Sequence, residues 1–204
     1  MSQIERAIDL IPGLYAELPT LRLFLPFFDD DGQPQRWSNF LVEGVTLTGS
    51  IEWSEIWNRH SAIEGESVTG PTPARGRLDH LTARALTDAL TLLTPSDTVL
   101  HCLQWEGYAA KSLESARQTV HQFGHEFIRS DSTISCMMEN ATSDRIPEFG
   151  YDDSGDLAWG TNIYPDSLII ASEESIYRSL INDPRLDTVT IRKDSDRLPV
   201  SSGD

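Results

Sequence analysis

An apolar stripe running from Leu78 to Leu93, with an apolar strand directly after it, constrains this chain more than any other feature. Leu78, Leu81, Ala85, Leu86, Ala89, Leu90 and Leu93 recur at helical spacing, which predicts one helix with a continuous apolar face. Asp79, His80, Thr82, Arg84, Thr87, Asp88 and Thr91 form the opposite face. Pro95 disfavours helical geometry at Thr94 and stops the helix. Residues 98–105, TVLHCLQW, then predict a buried strand. A helix that feeds a strand through a short turn lays its stripe on the sheet it feeds, so the fold needs a sheet under a helical layer.

The flanking segments fit that requirement. Ile4, Ala7, Ile8 and Ile11 predict a short helix over 2–11, ended by Pro12-Gly13. Leu21, Leu23, Leu25 and Phe27 alternate with Arg22, Phe24, Pro26 and Phe28, which predicts a strand. A second strand over Phe40–Leu47 would make a long-looped hairpin with it. Trp53, Ile56 and Trp57 predict a helix with Ser50 as N-cap, and 61–77 reads as a loop. Leu113, Ala116, Val120 and Phe123 allow a helix over 112–123, with Gly124 as its C-terminal glycine. Ile134–Met138 reads as a short strand. Leu168–Ala171 reads as a central strand, followed by a helix from Ser172 or Glu173 to Asn182. Thr188–Arg192 reads as the last strand. The fold class expected is α+β: one domain over 1–192, a mixed or mostly antiparallel sheet with helices mainly on one face, and a loose tail over 193–204.

Charge is the compositional anomaly. Thirty-two acidic residues against 16 basic ones give −16, which disfavours direct nucleic-acid contact and favours fast, salt-sensitive encounter with basic partners. Between Ser130 and Asp166, Asp131, Glu139, Asp144, Glu148, Asp152, Asp153, Asp156 and Asp166 face a single base, Arg145. That stretch reads as long, irregular and acidic. No apolar run is long enough to span a membrane. The first residues carry no basic-then-apolar leader, and Cys102 and Cys136 make no disulfide framework. A cytoplasmic location is the expectation.

No catalytic, metal or cofactor constellation emerges. His121 and His125 have the i, i+4 spacing of a helical zinc pair, but no Glu follows the first and Gly124 breaks the helix there. A surface pair is the simpler reading. Asp29-Asp30-Asp31-Gly32 and Asp152-Asp153-Ser154-Gly155-Asp156 look like fragments of calcium loops, yet lack the alternating ligands and terminal Glu. Solvated turns account for them. His101 and Cys102 are strand neighbours on opposite faces and cannot act as a nucleophile–base pair. The stretch singled out for binding is Trp105-Glu106-Gly107-Tyr108, where a strand leaves the sheet. With Trp159 it is the candidate rim of a pocket. The alternative is that Trp105 simply caps the core while Gly107 turns the chain.

Two segments also resemble a family of uncharacterised bacterial proteins, best represented in actinobacteria. The first is the helix and strand ending Trp105-Glu106-Gly107-Tyr108. The second is Tyr164-Pro165-Asp166-Ser167 leading through a strand and a helix to Asp183-Pro184-Arg185-Leu186. It is similar to the family's Trp-Pro-x-Asp-Arg strand and the helix after it. Ser167 stands where that family has Arg, and the family's insertion between strand and helix is missing. The resemblance implies fold continuity and no catalytic residue. The function expected is a non-enzymatic binding protein, neutralising a basic protein partner. A small-molecule binder or enzyme with a pocket beside Trp105–Tyr108 is the alternative.

Overall fold

The computed structural model describes residues 6–65, 71, 76–91, 98–108, 118–122, 124–162, 165–192 and 195–197. Its strands are β1 (Thr20–Phe24), β2 (Phe27–Phe28), β3 (Pro34–Gln35), β4 (Val99–Trp105), β5 (Gln118–Gln122), β6 (His125–Thr133), β7 (Phe149–Asp152), β8 (Leu157–Gly160), β9 (Ser167–Ser172) and β10 (Thr188–Thr190). Its α-helices are α1 (Trp53–Glu64), α2 (His80–Thr91), α3 (Ile134–Ser143) and α4 (Glu174–Ile181). Eight strands form one sheet in the order β10-β1-β9-β8-β7-β4-β6-β5, while β2 and β3 pair apart from it. Every ladder among the described residues is antiparallel. This is a single-domain α+β fold.

The sheet has a core on each face. On one face, Leu21, Leu23, Leu100, Cys102, Trp159, Leu168 and Ile170 meet the buried sides of α2, α3 and α4. On the other, Leu103, Phe127, Phe149, Ala158, Ile169 and Ala171 are covered by Ala7, Leu10, Ile11 and Tyr15. Ala7, Leu10 and Tyr15 belong to two short 3-10 turns, Ala7–Leu10 and Gly13–Tyr15, and Ile11 caps the end of the first. Strand β9 is therefore buried throughout, as its uninterrupted apolar run demands. A third cluster, Phe24, Phe27, Trp37, Ile51 and Ile56, anchors α1.

Side-chain caps set the starts of α2, α3 and α4. Asp79 accepts hydrogen bonds from the backbone N–H groups of Leu81 (2.8 Å) and Thr82 (3.1 Å), and from the Thr82 hydroxyl (2.5 Å). This cap starts α2 two residues later than the apolar stripe suggests. It turns Leu81 out, 64% exposed, and brings Asp79, Thr82 and Ala83 inside. Thr133 caps α3. Glu173 caps α4 by accepting from Ser175 and Ile176 N–H, each at 3.2 Å.

Arg22, on the polar side of β1's alternation, is fully buried. Its guanidinium donates to the carbonyls of Gly49 (3.1 Å) and Ile51 (2.9 Å), to Ser167 Oγ (2.8 Å) and to Asp166 Oδ1 (3.3 Å). It also stacks over Phe24, 4.5 Å from the ring centre. Burying an arginine is tolerable because each of these acceptors replaces lost water.

Several expectations are corrected. No strand forms over Phe40–Leu47; Trp37–Phe40 is a 3-10 turn, and β1 pairs instead with β9 and β10. Glu52, not Ser50, occupies the N-cap of α1, with no side-chain bond. Residues 118–122, expected at the end of a helix, form β5, while residues 109–117 and Phe123 lie outside the described residues. Gly124 sits at φ +81° in the β5–β6 turn. Ile134–Met138 opens α3 rather than forming a strand. The acidic stretch 130–166 is regular, supplying the end of β6, α3, β7 and β8. Of the expected tail, Asp196 is placed, its carboxylate accepting from Arg192 N–H at 2.8 Å.

Candidate functional site

The central feature is an open cleft of about 370 Å³ between α3 and the β4–β6 ladder. Strand alternation builds its floor. Cys102 and Gln104 of β4, and Ser130 and Ser132 of β6, share the helix-side face. Met137 and Asn140 come from α3, one turn apart, so both look down on those strands. Ser143, Asp144, Arg145 and Pro147, from the end of α3 and the loop after it, close one side. Half of the lining residues carry a hydroxyl or amide, with one acid and one base beside them.

The wall peptide Arg145–Glu148 is pinned from both sides. The Trp159 indole N–H donates to Pro147 O (3.0 Å). The backbone N–H of Trp105 donates to Glu148 Oε2 (2.8 Å). Ile146 N–H donates to Gly76 O (2.8 Å), tying the loop to the entry of α2. Continuing the β4–β7 register past Leu103–Phe149 sets Glu148 beside Gln104, a cleft residue.

Glu148 is 1% exposed, and its Oε1 has no hydrogen-bond partner among the described residues. Burial pushes its carboxyl up to about 7, with the Trp105 N–H and the Arg145 charge pulling the other way. A buried carboxyl near neutrality in the wall of a cleft is the kind of group that binding and catalytic sites employ.

The residues singled out in the sequence are divided by this arrangement. Trp105 is half-buried on the sheet face away from the helices, packed with Leu103 and Phe127, its ring edge-on to His125 at 5.7 Å. Trp159 is buried on the helix-side face beside Cys102. Its ring lies across Gly150, where a Cβ would stand 1.9 Å from the indole. The two tryptophans thus flank the cleft wall from opposite faces, one through its backbone and one through its indole, and neither lines the cleft. Glu106 is exposed in the turn Glu106–Tyr108, and the Tyr108 side chain lies outside the described residues.

Gln104, Ser130, Asn140, Arg145 and Glu148 are not singled out as site residues by the sequence. One signal was present: Glu148 stands between Ile146-Pro147 and Phe149, an apolar setting that marks a carboxylate for burial.

The other candidate groups have structural employment. His101 lies between two aspartates, Nδ1 2.7 Å from Asp131 and Nε2 2.9 Å from Asp153. The Asp131 hydrogen bond is the main cause of a pKa raised above the ordinary 6.5, against the opposing effect of burial. Arg129 Nη2 also lies 3.0 Å from Nδ1, so a donor and an acceptor meet the ring at that nitrogen. Burial pushes the neighbouring Cys102 thiol up to about 12, so it stays protonated at neutral pH. His121 faces Glu126 across the β5–β6 hairpin, and Gln122 faces His125, so the two histidines share no helical face. Asp29 and Asp152 each accept backbone N–H groups within their own turns. Among the described residues no group of three or more His, Cys, Asp or Glu is placed to hold a metal ion, and no helix is long and apolar enough to cross a membrane.

Compared with protein-family models, with curated proteins and with solved structures, the chain matches none.

Proposed function

We propose that this is a non-enzymatic binding protein that takes a small, neutral, polar molecule into the cleft between α3 and the β4–β6 ladder. The observation that carries this reading is the cleft itself, about 370 Å³ and lined by Gln104, Ser130, Ser132, Asn140 and Ser143. Its volume falls within the range of small-molecule sites. Its hydroxyl and amide groups both donate and accept hydrogen bonds, which suits a polyol, nucleoside or amide better than an ion. The nearby Asp144 and Arg145 balance one another.

Thermal unfolding with panels of sugars, nucleosides and amino-acid amides tests this. A true ligand at a hundred times its Kd stabilises by about 2.7 kcal/mol and raises Tm by about 5–10 °C for a chain of this size. The Ser130→Trp variant, which fills the cleft, is expected to lose that shift. A shift retained in Ser130→Trp, or no shift with any panel, counts against the cleft.

The charge of −16 favours a second reading, docking of a basic protein partner. Capture from lysate is then expected at low salt and lost at high salt, because screening shortens the reach of exposed charges. Capture that ignores salt, or no capture at low salt, removes this reading.

A further inference from the structure

We propose that β5 is a docking edge for a second copy of this chain, joining two sheets about a twofold axis. Among the described residues β5 is the terminal strand and pairs only with β6. Two residues separate Gln122 from its partner His125, so that pair closes the hairpin with hydrogen bonds. Alternation then directs the backbone groups of Gln122, Val120 and Gln118 at β6, and those of Thr119 and His121 outward.

Such an outward row is a template for another strand, and proteins commonly guard it with Lys, Pro or a bulge. The stretch Gln118-Thr119-Val120-His121-Gln122 has neither charge nor proline, in a chain that is 24% charged. Its residues also read almost the same in both directions. A twofold contact requires a self-complementary surface, and this strand supplies one. Antiparallel to itself about Val120, it sets Thr119 opposite the second copy's His121. Those are the residues whose backbone groups point outward, so each such pair exchanges two hydrogen bonds.

Side chains agree with that register. Val120 is half-buried against the Leu103, Phe127 and Phe149 cluster. On the axis it meets the second copy's Val120, and the two apolar clusters join into one. The net charge opposes association of two copies, and an uncharged edge is where that opposition is least. Added salt therefore strengthens this contact, whereas it weakens docking of a basic partner.

Sedimentation of the whole protein over rising concentration and salt, with amide exchange, tests the proposal. Wild type is expected to dimerise, more tightly in high salt. The Thr119 and His121 amides are expected to slow as dimer forms, while the Val120 amide is slow throughout. Thr119→Pro removes an outward N–H at a position where an edge strand tolerates proline. Val120→Lys places two charges on the axis. Both variants are expected to be monomeric while keeping the wild-type far-UV circular dichroism spectrum. If Thr119→Pro fails to fold, Val120→Lys and the wild-type amide pattern decide. A wild type that is monomeric at millimolar concentration overturns the proposal. So does a dimer in which the Thr119 and His121 amides exchange no more slowly than in monomer.

Discussion

At the scale of single residues, Glu148 sets burial against charge. Its carboxyl holds a proton up to about pH 7 when folded, against an ordinary value of 4.5. The folded state thus binds that proton more tightly than the unfolded chain does. Its contribution to stability is complete below pH 4.5, falls as the pH rises to about 7, and is flat above that. Glu148→Gln keeps an acceptor for the Trp105 N–H and cannot ionise. Urea unfolding at stepped pH is expected to show wild type losing stability relative to this variant across that window. A difference that does not change with pH would mean that Glu148 titrates normally. His101 also has a raised pKa, so its own loss of stability begins as pH climbs past 6.5, in both proteins alike. The apolar neighbours of Glu148 were legible in sequence. Its meeting with Trp105, 43 residues away along the chain, was not, because a hydrogen bond to a strand end depends on where the partner strand stops.

At the scale of elements, the close approach of the N-terminal turns to the sheet depends on a glycine. A Cβ on Gly160 of β8 would stand 2.1 Å from the carbonyl oxygen of Leu10. Main chain cannot swing aside as a side chain can. Gly160→Ala is therefore expected to destabilise the protein by about 1–3 kcal/mol or more, the usual effect of overpacking. Chemical denaturation measures it, and a loss below about 0.5 kcal/mol, the size of a typical surface substitution, would mean that the turns do not rest there. Elements whose evidence is local were read well. The helix before β4, β4 itself, β9 and α4 carry their period or apolar run within a few residues. Two of the misread segments went wrong for different reasons. Val120 continued a helical spacing from Leu113, yet pairing of Gln118–Gln122 with β6 decided for a strand, as tertiary context overrides propensity. Ile134–Met138 is too short an apolar run to tell strand from helix. Ile134, Met137, Met138 and Ala141, the buried positions of α3, show the helical period only when read two turns further.

At the scale of the whole molecule, the α+β class and the placement of α2 and α4 on one face follow from stripe and strand patterns already present in the chain. An apolar stripe has to be covered, and only a layer can cover it. The strand order does not follow from them. β1 lies between β10 and β9, which join it from the far end of the sequence, and β4 lies between β7 and β6. Those pairings set which side chains face each other across the sheet, and so they made the cleft, buried Glu148 in its wall and sent Trp105 and Trp159 to opposite faces. By itself the sequence determined the period of each strong element, the charge and the apolar setting of Glu148, because these depend on neighbours a few bonds apart. Only the tertiary structure decided the cleft, the His101 clasp and the place of β5 as the terminal strand among the described residues. Each of these depends on which distant strands share hydrogen bonds, and residue order along one strand does not encode its partner.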